Sequence, residues 1–126
     1  MGVIWRRING VQIYATVGSE EKTCHLVEKY GLPRHRIFDS RSTSFLPDLM
    51  KETDGKGVDV VLNSLAGELL HASWQCVARG GKMIELGKRD FLDHGMLSMD
   101  RFAENRAFFG VDISALGEED AREVER

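Results

Sequence analysis

Three short runs put polar or charged side chains directly after apolar, strand-like segments, which is where an α/β domain gathers its ligands. The first, Gly18-Ser19-Glu20-Glu21-Lys22, follows the β-branched run Val11 to Val17. Ser19 can cap a helix there, and a helix start offers free N–H groups and a positive dipole end to an anion. Lys22 on the first turn either adds a full charge to that anion site or is a solvated helix residue beside two glutamates. No Asp or Glu ends the strand, so no carboxylate at that place would repel an anion. The second run, Asn63-Ser64-Leu65, closes the apolar stretch Val58 to Leu62. Asn63 reads as a ligand contact or as a strand-end cap that needs no ligand. The third, Leu86 to Asp90, carries Lys88 beside Asp90, two groups that can pair with each other.

Other chemistries find less support. His25, His35, His71 and His94 form no HExxH or paired spacing, and the adjacent Cys24 and His25 point to different helix faces, so no metal site is expected. Trp74 and Met83, Met96 and Met99 read as packing residues.

The elements that must hold these runs follow from periodicity. Val11–Val17 predicts a strand, Glu20–Tyr30 a helix with Leu26, Val27 and Tyr30 inward, and Gly31-Leu-Pro33 its stop. Arg36–Asp39 predicts a short strand, and Ser42-Thr-Ser44 caps a helix carrying Phe45, Leu46, Leu49 and Met50 inward, with Pro47 in its first turn. Val58–Leu62 is apolar at four of five positions, as a parallel strand covered on both faces should be. Leu65–Val77 then predicts a helix, Gly80-Gly81 a turn and Lys82–Leu86 a strand. After a polar loop come a short helix around Met99–Glu104 and a last strand near Ala107–Ile113. The tail 117–126 is mostly charge. Strands alternating with helices specify βαβ units, hence a Rossmann-like, doubly wound, mainly parallel sheet with helices on both faces. Gly18–Lys22, Asn63–Leu65 and Leu86–Asp90 then share one edge of it.

A length of 126 residues, 42% of them hydrophobic, suits one soluble domain without a metal or disulfide staple. The net charge of -3 supplies no general basic field for nucleic acid or an anionic membrane. Two distant cysteines fit a reducing, cytoplasmic compartment, and no run approaches the roughly 18 apolar residues of a membrane span.

The blocks TVGSEEK (16–22), IFDSRSTSF (37–45), GKGVDVVLNSLAGELLHAS (55–73), GKMIELGKRDF (81–91) and NRAFFGVDIS (105–114) together resemble the nucleotide-binding half of the enoyl reductase domain of polyketide synthases and animal-type fatty acid synthases. That domain belongs to the zinc-free, quinone-reductase-like branch of the medium-chain dehydrogenase/reductase superfamily. The resemblance implies NADPH as cofactor and hydride transfer to the β carbon of an α,β-unsaturated thioester on an acyl carrier domain. It implies that Gly18, Ser19 and Lys22 lie at the adenosine ribose and its 2′-phosphate, and that Asn63, Ser64 and Leu65 pass the ribose and nicotinamide. Leu86 and Gly87 would let backbone approach the nicotinamide. Lys88 and Asp112 match the residues proposed as proton donor or as supports for substrate placement. An ammonium suits that work, since hydride delivery leaves negative charge on the thioester.

The sequence departs from this family ahead of Val11, where a strand, a Gly-rich turn and a helix are expected and only MGVIWRRING stands. The expected organisation is an atypical segment at 1–10, a partial NADP(H)-binding domain at 11–116 and a charged tail at 117–126. Without the central first strand, the edges of Val11–Val17 and Val58–Leu62 would pair directly or stay open, giving a compacted sheet or a strand-sharing homodimer. Val3-Ile-Trp5 could substitute, though Arg6 and Arg7 suit a covered position poorly. The partners implied are an amino-terminal catalytic domain and an acyl carrier domain, and the chain alone is expected to be inactive. Two alternatives stand beside this reading: a non-catalytic nucleotide-binding or dimerising module, and part of an NADPH-dependent quinone oxidoreductase.

Overall fold

A computed structural model describes the backbone of residues 3–7 and all of residues 12–87 and 89–112. Six strands among these residues form one sheet in the order β3-β2-β1-β4-β5-β6. β1 (Val3–Arg7) is followed by β2 (Gln12–Val17), α1 (Glu20–Tyr30), a 3₁₀ turn at Arg34–Arg36 and β3 (Ile37–Asp39). Then come α2 (Phe45–Glu52), β4 (Val58–Asn63), α3 (Glu68–Gln75), β5 (Val77–Glu85), α4 (Arg89–Leu92), a 3₁₀ turn at Met99–Phe102 and β6 (Ala107–Gly110).

The centre of the sheet departs from expectation. β1 lies between β2 and β4 and is antiparallel to both, with Ile4 opposite Ala15 on one side and Leu62 on the other. The facing edges of β2 and β4 are therefore neither paired with each other nor open, and strand sharing between copies loses the two edges it was expected to use. An antiparallel neighbour can fill this slot through a short connection, whereas a parallel one needs a crossover of a dozen residues or more. In this register Arg7 stands opposite Gln12, the first residue of β2, while Arg6 is opposite Ile13 on one side and Val60 of β4 on the other. Since β2 and β4 both oppose β1, they run the same way. β3 is parallel to β2, β5 to β4 and β6 to β5. Five strands thus direct their carboxyl ends to one edge, and the sheet is mainly parallel with helices flanking it.

One face of the sheet carries the core. Tyr14, Val61 and Met83 meet Phe45 and Leu49 of α2 and Leu70 and Trp74 of α3 in a single apolar cluster. On the opposite face α1 lies beside β2, and the two elements border an open apolar groove that includes Ile13, Leu26 and Tyr30. That open setting explains why α1 has no fully buried residue and why Tyr30, expected inward, is 66% exposed.

Helix boundaries follow local chemistry. The Ser19 hydroxyl accepts the Lys22 N–H at 3.3 Å, and Gly31, at φ 65°, ends α1 with its N–H on the Val27 carbonyl. With so little burial to fix it, α1 depends on its cap. Ser19→Ala is expected to cost about 1 kcal/mol in denaturant unfolding, with Ser19→Thr near wild type; an unchanged midpoint for the alanine variant would show that another contact starts the helix.

Several predicted boundaries move. The Ser44 side chain does not cap α2; its hydroxyl is 2.9 Å from that of Ser42. α3 begins at Glu68 rather than Leu65, because the Asn63 side chain holds the Leu65 backbone in a turn. Gly80 and Gly81 do not end an element. They lie inside β5, where its register against β4 shifts between Val58 and Val60. The predicted polar loop contains α4, the helix near Met99 is a 3₁₀ turn, and β6 stops at Gly110. The tail 117–126 lies outside the described residues. No helix among the described residues is long and apolar enough to cross a membrane.

Candidate functional site

At the carboxyl edge of the sheet the candidate residues fall into two groups, separated by β1. The first surrounds the ends of β2 and β3. Gly18 and Ser19 follow β2, and a cleft of about 240 Å³ there is bordered by Ser19, Glu20, Arg34, Asp39 and Arg41. Arg34 pairs with Glu20 at 2.6 Å and Arg41 with Asp39 at 3.1 Å, all four side chains being well exposed. The Arg34 guanidinium holds the Glu20 carboxyl below its ordinary value, and the Arg41 backbone and side chain do the same for Asp39. Lys22 borders instead the apolar groove beside Ile13 and Leu26. The cations next to Ser19 in this cleft are thus Arg34 and Arg41, which sequence reasoning did not single out. Two arginines set against two carboxylates in the folded cleft could not be read from spacing.

The second group joins the ends of β4, β5 and β6. Asn63, fully buried at the end of β4, donates through Nδ2 to the Leu65 carbonyl at 2.8 Å and accepts the Leu65 N–H on Oδ1 at 3.3 Å. The strand-end turn and the candidate ligand loop are therefore one structure, with Ser64 half-buried between them. The Asn63 carbonyl accepts the Leu86 N–H at 2.8 Å, and the Glu85 carbonyl accepts the Val111 N–H at 2.9 Å. These backbone bonds bring Leu86 and Gly87 beside Asn63–Leu65, and the segment leading to Asp112 beside Glu85 on the far side of β5. Asp112 itself is exposed. Asp90 accepts the Gly67 N–H at 3.1 Å, so this carboxylate has a role in the turn before α3. Lys88, and with it the predicted pairing to Asp90, lies outside the described residues.

At the middle of this group stands Glu85, which sequence reasoning passed over. It is 1% exposed, and its carboxylate accepts from Asn63 Nδ2 at 2.5 Å and from the Gly87 N–H at 2.8 Å. Burial pushes its pKa up, the two hydrogen bonds pull it down, and the charge of Asp90 raises it further. The signal was present: a lone carboxylate in the otherwise apolar end of Lys82-Met-Ile-Glu-Leu86.

The remaining chemistry is silent. Among the described residues, no cluster of three or more His, Cys, Asp or Glu side chains could hold a metal ion. Burial drives the Cys76 thiol up to about 12, which leaves it protonated and inert at neutral pH.

A family described as zinc-binding dehydrogenase matches residues 1–125. A highly reducing polyketide synthase, g433, of Fusarium sp. is 60% identical over 106 residues, and another, gloL, of Glarea lozoyensis is 59% identical over 111. The matches cover 84% and 88% of this chain and 4% of each synthase, so the chain spans a small part of these relatives. Among solved structures, the nucleotide-binding subdomain of the enoylreductase domain of PpsC from Mycobacterium tuberculosis is 39% identical with a TM-score of 0.73, over 87% of this chain and 60% of that one. The CurK enoyl reductase is 30% identical with a TM-score of 0.63, over 84% of this chain and 30% of that one. The sheet edge and these likenesses agree, and the chain belongs to the zinc-binding dehydrogenase family as a nucleotide-binding-like subdomain related to the enoyl reductase domains of polyketide synthases.

Proposed function

We propose that this chain is the NADPH-binding portion of an enoyl reductase that reduces the α,β double bond of an acyl thioester carried on a synthase. The observation that carries the reading is the common edge: the loops after β2, β4, β5 and β6 leave the sheet on the side where doubly wound domains take dinucleotides. The residues present fit the two ends of that cofactor. Ser19 and the α1 N-terminus, with Arg34 and Arg41 in the same cleft and Lys22 on the first turn of α1, suit the ribose phosphate. Asn63–Leu65 with Leu86 and Gly87 suits the nicotinamide side, where Gly87, lacking a Cβ, packs its backbone against the Glu85 carboxylate. The pyrophosphate is served less well. The central strand β1 runs antiparallel to its neighbours, so its carboxyl end lies at the opposite edge of the sheet from theirs.

When bound, NADPH supplies the hydride. Lys88 would steady the negative charge that then develops on the thioester and return a proton, and Asp112 would help to place the substrate. The synthase relatives support an acyl carrier domain as the partner that presents the thioester.

Titration of the chain with NADPH and with NADH tests the cofactor assignment. NADPH is expected to bind more tightly, and Lys22→Ala to weaken it by about tenfold with NADH unaffected, as loss of one charge-assisted contact would. No saturable binding of either nucleotide below millimolar concentration would reject the reading. Equal affinity for both would remove Lys22 from the phosphate site.

A further inference from the structure

We propose that Glu85 is the positioning residue of the nicotinamide-side surface: its buried carboxylate clamps the Asn63–Leu65 loop to the Gly87 turn and so fixes the spacing of the two. The inference rests on the cofactor reading above and assigns a role to a residue that neither the motifs nor the resemblance had marked.

Glu85 ends β5 on the same sheet face as Met83, two residues earlier, where strand alternation calls for an apolar side chain. A leucine or methionine would bury as well and would make neither bond. Both carboxylate oxygens are engaged by donors from different loops, Oε2 by the Asn63 carboxamide and Oε1 by the Gly87 backbone. Asn63 passes the constraint on, because the carboxamide that reaches Glu85 also holds both polar groups of the Leu65 backbone. Glu85 adds a third connection through its carbonyl, which accepts from Val111 beside Asp112. One side chain thus ties together the loops after β4 and β5, while its backbone ties in the segment after β6. The cleft beside Ser19 lies across β1 and makes none of these contacts.

The carboxylate is needed for a chemical reason. It presents only acceptors to its two partners, which present only donors. The isosteric Glu85→Gln keeps the volume and one acceptor oxygen, so either Asn63 Nδ2 or the Gly87 N–H must face an amide NH₂. Exchanging polarity in the pair restores the match. In the double variant Asn63→Asp with Glu85→Gln, the new carboxylate accepts from Gln Nε2 and from the Leu65 N–H, and the Gln oxygen accepts from Gly87. The exchange repairs the pair with residue 85 but sets a carboxylate oxygen against the Leu65 carbonyl, 2.8 Å from the donor it replaces, so the turn at Leu65 loosens.

The test measures two ligands on the chain and its variants: NADPH, and adenosine 2′,5′-bisphosphate, which has the phosphorylated adenosine end and no nicotinamide. E85Q is expected to weaken NADPH by about tenfold, the size of one broken charge-assisted bond, and to leave the bisphosphate within about twofold. The double variant is expected to recover part of the NADPH affinity. A general loss of folding would weaken both ligands alike and would not be repaired by the exchange. Equal losses for the two ligands, or no loss for either, would overturn the proposal. If the wild-type chain binds no NADPH, the cofactor reading has failed, and the clamp is decided by NMR. The Gly87 and Leu65 amide resonances are expected to move together in E85Q and the Gly87 resonance to return in the double variant, and resonances that stay in place in E85Q would overturn it.

Discussion

Replacing Trp74 by alanine is expected to lower the free energy of unfolding by about 3–5 kcal/mol, the range for truncating a large aromatic in a packed core. A domain of this size has on the order of 5–15 kcal/mol in all, so the change removes about a fifth or more of its stability. Trp74 is fully buried and is the largest such side chain among the described residues. Its ring centroid lies 5.0 Å from that of Phe102 and 5.7 Å from that of Phe108, so α3, the Met99–Phe102 turn and β6 meet on one indole. Its Nε1 donates to the Ser98 carbonyl at 3.0 Å, fastening the long connection between α4 and β6. The cavity cannot close easily, because its walls belong to three separate elements. Trp74→Phe keeps most of the ring and forfeits the Nε1 bond, and it should cost about 1–2 kcal/mol. Denaturant unfolding monitored by circular dichroism measures both. A loss below about 1 kcal/mol for the alanine variant would mean that the aromatic cluster does not hold β6 in place.

How far the fold could be read beforehand depended on whether a feature was local. The start of α1 was legible because Ser19 and the Lys22 N–H lie three residues apart, and its stop because Gly31 adopts the left-handed conformation. The strand Val58–Leu62 was legible because burial on both faces leaves a continuous apolar run. The placement of β1 was not. Whether Val3–Arg7 could fill the central slot depends on hydrogen bonds to β4, more than fifty residues away, and the alternation of side chains carries no information about strand direction. The bulge at Gly80-Gly81 was hidden similarly, since a turn and an irregularity inside a strand favour the same residues.

The site divides along the same line. Ser19, Asn63 and Gly87 stand close after or at strand ends and were singled out by that position, with the resemblance supplying the roles expected of them. Arg34 and Arg41 acquire meaning only when β3 aligns with β2 and places them around one cleft with Ser19. Glu85 looked like one more alternating strand residue until its partners, 22 residues back and two residues ahead, became known. Lys22 was located correctly on α1, but the helix directs it along the groove with Ile13 and Leu26, and this is what makes the NADPH comparison a real test of its role.

Gly87→Ala should damage the site more than any single change to a side chain that lines it. A Cβ at this position would stand 2.7 Å from Glu85 Oε1, closer than real Cβ contacts come, and 3.6 Å from the Ser64 carbonyl oxygen. The end of a flexible glutamate on the surface would swing away at little cost. Glu85 cannot, because it is buried and its other oxygen is held by Asn63. Either the carboxylate moves and leaves the Asn63 carboxamide without an acceptor, or the Gly87 turn moves and breaks its own N–H bond. Overpacking of this kind costs about 1–3 kcal/mol, which for a chain of this length is a fall in melting temperature of roughly 3–12 °C. On the cofactor reading the same displacement falls on the nicotinamide side, so NADPH affinity is expected to drop by about tenfold to a hundredfold, with adenosine 2′,5′-bisphosphate retained. The two readouts separate the claims. An unchanged melting temperature would mean that Glu85 yields freely and is not held by Asn63. A lowered melting temperature with full NADPH affinity would leave the clamp in place and remove Gly87 from the cofactor's path.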